Sequence, residues 1–85
     1  MKKIPVVIDF SGRKRLGFMS KDAYKKRVKG ITGASRIVVV YNAPNSKFHY
    51  TDTVYRWNDV VMLDNDRDKE LLEDSLLYAE EKGLL

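Results

Sequence analysis

One histidine, no cysteine and a scatter of carboxylates narrow the chemistry open to this 85-residue chain. His49 is the side chain best suited to proton transfer near neutral pH. It lies between Phe48 and Tyr50 in an alternating segment, with no neighbour in sequence to orient it, and reads as a strand-surface histidine rather than a general base. Ser11 stands close to Asp9 but lacks the Gly-x-Ser-x-Gly frame that presents a nucleophilic serine. Gly12 and Gly17 flank charged residues without a phosphate-cradling or dinucleotide fingerprint. The lack of any thiol excludes disulfides, thiolate nucleophiles and thiolate metal sites. The expectation is a protein that is not an enzyme and carries no cofactor.

Metal chemistry has one candidate. Asp64, Asp66 and Asp68 share the alternate spacing that opens a calcium loop. Lys69 occupies the position of the turn glycine, however, and Ser75 that of the closing bidentate acid. At the start of a helical segment these carboxylates have a simpler use, satisfying free amides and complementing the helix dipole.

Binding of polyanions has more support. Arg13-Lys14-Arg15 is followed by Lys21, Lys25 and Lys29 at helical spacing, with Lys26 and Arg27 beside them. Together they could contact phosphates, while Tyr41, Phe48, Tyr50, Tyr55 and Trp57 could stack on bases. The net charge of +4 conceals a strong asymmetry: residues 1–36 carry eleven Lys and Arg against two acids, and residues 37–85 carry five against ten. The halves either form a polarised surface or neutralise each other.

The acids supply a third possibility, a protein-contact face. On a continuous helix near residues 67–82, Leu71, Leu72, Ser75, Leu76, Tyr78 and Ala79 form the core stripe. Glu70, Glu73, Asp74, Glu80 and Glu81 fall opposite, and Leu77 lands among them. A leucine ringed by carboxylates has the composition of a contact patch. Segment 47–57 adds aromatics on both of its faces, and Tyr55 and Trp57 are assigned to the exposed one.

The elements that hold these residues are legible in outline. Residues 3–10 and 15–19 read as a hairpin with Arg13-Lys14-Arg15 at its tip. Ser20 caps a helix over 21–29 that Gly30 stops, with Met19 and Tyr24 at staple positions and Ala23, Tyr24 and Val28 inward. The run 36–41 is apolar on both faces and belongs inside a sheet. Residues 42–46 form a turn, 47–57 a long strand and 60–63 a short one before the last helix, which Gly83 stops. The order β-β-α-β-β-β-α implies an α+β fold: a small, mostly antiparallel sheet with two helices packed on it, in a single domain, 1–85.

The opening M-K-K-I-P-V-V-I-D-F meets Asp9 too early for a secretion signal, and no segment reaches a membrane-spanning length. A cytoplasmic protein is expected. The leading functional expectation is a small non-catalytic binding protein that inhibits or recruits a larger protein, with a homodimer possible. The alternative is a nucleic-acid-binding module using Arg13, Lys14, Arg15, Lys21, Lys25, Lys26 and Lys29, and a distant third is an enzyme whose site assembles from residues far apart in the sequence.

Overall fold

A computed structural model describes residues 3–10, 12–42 and 47–84. The order is β1 (Ile4–Phe10), β2 (Arg13–Met19), α1 (Lys21–Val28), β3 (Ala34–Asn42), β4 (Phe48–Arg56), a 3-10 turn at Trp57–Asp59, β5 (Val60–Met62), α2 (Asp66–Leu71) and α3 (Glu73–Glu81). The five strands form one antiparallel sheet in the order β4-β3-β2-β1-β5. The α+β class and the element order are those expected from the sequence. The turn expected over 42–46 falls mainly at 43–46, outside the described residues.

Strand alternation divides the core into two layers. Val6, Ile8, Met19, Ile37, Val39 and Val60 bury one face of the sheet, together with Ala23 from α1 and Trp57 from the 3-10 turn. Val7, Leu16, Phe18, Val38 and Val40 bury the other, together with Leu72 and Ala79. The inner stretches of β1, β2 and β3 thus have both faces covered, which is why Val6–Ile8, Leu16–Met19 and Ile37–Val40 are unbroken apolar runs. The two outer strands differ: β5 pairs with β1 over three residues, whereas β4 pairs with β3 over nine, and no strand among the described residues pairs with its other edge.

The α1 boundaries follow local chemistry. Ser20 Oγ accepts from the Ala23 amide at 3.2 Å, and Met19 beneath it is fully buried. At the other end the Gly30 amide donates to the Arg27 carbonyl and that of Ile31 to the Lys26 carbonyl, a Schellman closure for which Gly30 takes φ +80°. Val28, expected inward, is 61% exposed. The helix ends there, and Arg27 turns toward the sheet instead, donating from Nε to the Val60 carbonyl at 3.2 Å.

The C-terminal helix departs from expectation in one respect that matters. It is broken at Leu72, whose backbone sits at φ −102°, ψ 13° between α2 and α3. Asn65, rather than an aspartate, caps α2 by accepting from the Arg67 amide at 2.8 Å, while Asp66 and Asp68 occupy the first turn.

Candidate functional site

The β1–β2 register settles the fate of the three-cation run. Arg13, Lys14 and Arg15 lie within β2, opposite Phe10, Asp9 and Ile8, so the turn is tighter than expected and the cations belong to a strand. A strand sends successive side chains to opposite faces. Arg13 and Arg15 share the α1 face with Ile8, while Lys14 shares the α2–α3 face with Val7 and Leu16. There Lys14 Nζ meets Asp68 Oδ1 at 2.9 Å, and Asp68 is the one buried charged residue among those described, 6% exposed. A carboxylate withdrawn from water needs such a donor, so Lys14 clamps the hairpin to α2.

On the α1 face, Val60, Ile8, Arg15, Tyr41 and His49 stand in line across the five strands. Arg15 lies over the Tyr41 ring, 5.8 Å from its centroid, and Tyr41 stacks on His49 at 5.8 Å. His49, Thr51 and Thr53 are exposed, so the β4 portion of this face is uncovered. Lys26 lies over the Trp57 ring at 5.9 Å and helps seat the helix. Lys21, Lys25 and Lys29 remain exposed on α1.

The opposite layer is acidic. Glu70, Glu73, Asp74, Glu80 and Glu81 are all exposed, and Leu77 stands among them at 56% exposure, as the helical periodicity implied. Leu71 is the exception to that periodicity. Assigned to the core stripe, it is 66% exposed: the buried stripe runs through Asp68, Leu72, Leu76 and Ala79, and Leu71 falls outside it. Leu71 borders two shallow clefts that meet beside Lys14. One of about 710 Å³ runs toward Asn65 and Arg67; the other, of about 450 Å³, runs between Arg13, Tyr41 and Phe48.

The assignment of Tyr55 and Trp57 to an exposed aromatic face is overturned. Trp57 is buried at 9%, its Nε1 donating to Ser35 Oγ at 3.0 Å and its amide to the Gly33 carbonyl at 2.8 Å. Gly33 permits this approach: a Cβ there would lie 2.6 Å from Trp57 Cζ3. Tyr55 is half-buried against the same cluster. Tyr55 stands opposite Ser35 on the α1 face, where no other large residue fills the space that Trp57 takes. The exposed large hydrophobic side chains of β4 are Tyr50 at 50% and Val54 at 61%, on the α2–α3 face. Tyr55 and Trp57 are therefore separated from Leu77 by the sheet, and the three cannot form one surface.

The chain matches no family model, no curated protein and no solved structure. Among the described residues, no group of three or more His, Asp or Glu side chains could share a metal ion, and no helix is long and apolar enough to cross a membrane. What the fold brings together is charge: a basic side carrying α1, Arg13 and Arg15, and an acidic side carrying α2 and α3, with the sheet between them.

Proposed function

We propose that the chain is a small non-catalytic binding protein that inhibits or recruits a larger protein by direct contact through the outer face of α3. The observation that supports this reading most is Leu77, an exposed leucine encircled by exposed Glu73, Asp74, Glu80 and Glu81. An apolar centre within a charged rim is the anatomy of a contact patch, and the rim selects a basic partner surface with an apolar socket. Segment 66–82 keeps an acidic surplus, with Arg67, Lys69 and Lys82 against seven carboxylates, and Lys14 is already engaged by Asp68.

Affinity capture from the native cell, with and without nuclease, tests the reading. A stoichiometric, nuclease-resistant protein partner is expected, and Leu77→Asp should release it while the circular dichroism stays unchanged. Undiminished recovery with Leu77→Asp counts against the α3 face.

A second reading draws on a different observation, the row Arg15–Tyr41–His49 on the basic side of the sheet. Cations beside stacked rings suit single-stranded nucleic acid, held by its phosphates and without base-edge readout. Fluorescence anisotropy with a single-stranded oligonucleotide tests it. Affinity should fall steeply with salt and be abolished by Arg13→Glu with Arg15→Glu; salt-insensitive or absent binding excludes it.

A further inference from the structure

The outer edge of β4 is long, and no strand among the described residues pairs with it. Natural sheets blunt such an edge with lysine, proline, a bulge or brevity. The opposite edge uses brevity, β5 being three residues long. Strand β4 runs nine residues as F-H-Y-T-D-T-V-Y-R, with no proline and no lysine. Its charged residues are Asp52 at the centre and Arg56 at the end.

That sequence is close to a chemical palindrome about Asp52. Thr51 mirrors Thr53, Tyr50 mirrors Val54, His49 mirrors Tyr55, and Phe48 mirrors Arg56. When two identical antiparallel strands pair about a two-fold axis perpendicular to the sheet, each residue meets its own mirror position in the other copy. With the axis at Asp52 all nine residues pair. Both Thr–Thr contacts form, Tyr50 covers Val54 reciprocally, and Arg56 reaches the Phe48 ring, combinations favourable across strands. Tyr50 and Val54 are the two β4 residues that the monomer leaves most conspicuously exposed, at 50% and 61%.

The axis brings two Asp52 carboxylates together, and the fold already supplies their counter-charges. Arg36, on the neighbouring β3 and the same face, holds Nη1 at 3.9 Å from Asp52 Oδ2. Two carboxylates bracketed by two guanidiniums form a neutral set of four. Shifting the axis by one residue in either direction separates the Asp52 pair but leaves two residues unpaired and breaks the Tyr50–Val54 match.

We propose that β4 pairs antiparallel with β4 of a second copy of this chain, about a two-fold axis at Asp52, to make a ten-stranded sheet. The short β5 lies at both outer ends, so assembly stops at two copies. The two α1 layers then share one side of the sheet and the two α2–α3 layers the other, which makes the proposed α3 contact face bivalent.

The lack of native cysteine makes the test clean. Light scattering on the wild-type chain should give twice the 9.9 kDa monomer mass. Single cysteines placed in turn at positions 50 to 54 then read the register under mild oxidation. Residues paired on the axis stand about 4.5–5.5 Å apart between Cα atoms, within disulfide reach. One position off the axis, the like residues are about 8 Å apart, which is out of reach. Asp52→Cys should therefore cross-link rapidly and the other four should not. Charge exchange supplies the second arm. A copy with Tyr50→Lys and Val54→Lys should lose dimer affinity about tenfold or more, as should one with Tyr50→Glu and Val54→Glu. Mixing the two should restore a dimer, which excludes misfolding as the cause. A monomeric wild-type chain, cross-linking at none of these positions or fastest away from position 52, or no rescue on mixing would overturn the proposal.

Discussion

The two helical layers flank the same sheet, but they are attached to it by different means. On the α2–α3 side, Leu72 and Ala79 enter the core directly, Leu76 and Tyr78 pack around them, and Leu84 closes the end. On the α1 side, Ala23 is the helix's one fully buried residue. The volume there is filled by Trp57, which comes from a turn elsewhere in the chain and sits between Gly33, Ser35 and Lys26. One layer is held by its own hydrophobic stripe. The other is a cationic helix held by a borrowed tryptophan, and this dependence frees most of α1 to carry charge.

The contrast is broken most directly at Trp57. Trp57→Ala removes the filler of the α1 layer and should cost about 3–5 kcal/mol. In an 85-residue domain that is a large share of total stability. Urea denaturation gives the loss, and amide exchange should place it first in α1. Leu72→Ala, measured in the same way, should cost about 2–5 kcal/mol but loosen α2 and α3 first. If either substitution loosens both layers equally, the two attachments are not separable.

The three neighbouring cations of β2 sharpen the comparison at lower cost. Lys14→Ala leaves the buried Asp68 without its donor and should destabilise by about 1–3 kcal/mol. Arg15→Ala gives up a cation–π contact at an exposed site and should lose about 1 kcal/mol or less. Equal effects in chemical denaturation would mean that strand alternation has not sorted these residues as described.

Helix capping offers a smaller test on each side. Ser20→Ala and Asn65→Ala each remove a side-chain acceptor at a helix start and should cost about 1 kcal/mol. The smallest effect is expected at Leu77. Leu77→Asp touches no core residue and should shift stability by no more than about 0.5 kcal/mol, the condition that makes it a clean probe of binding. A larger loss in thermal melting would mean that Leu77 packs within the fold.

Much of this architecture is legible from neighbouring residues. Ser20, Gly30 and Gly83 mark helix ends through capping bonds that span a few residues, and those bonds form where expected. The apolar run in β3 announces a strand covered on both faces. Alternation in β4 announces a strand but does not say which face is covered, since both carry aromatics. That choice depended on the Ser35–Tyr55 register and on the space left beneath α1, neither of which is local. The break at Leu72 escaped for a related reason. Nothing in the 67–82 run forbids a continuous helix, and the interruption accompanies the burial of Leu72 against the sheet.

The sequence by itself determined the kinds and order of the elements, the positions of their caps and the surplus of cations in one half over acids in the other. These follow from propensity, periodicity and hydrogen bonds between close neighbours. Tertiary structure alone decided that Lys14 would leave Arg13 and Arg15 to join Asp68, that Trp57 would be core, and that the cationic α1 and the acidic α3 would lie on opposite sides of the sheet. Each of those outcomes depends on which residues, distant in the chain, the strand pairing brings to one face.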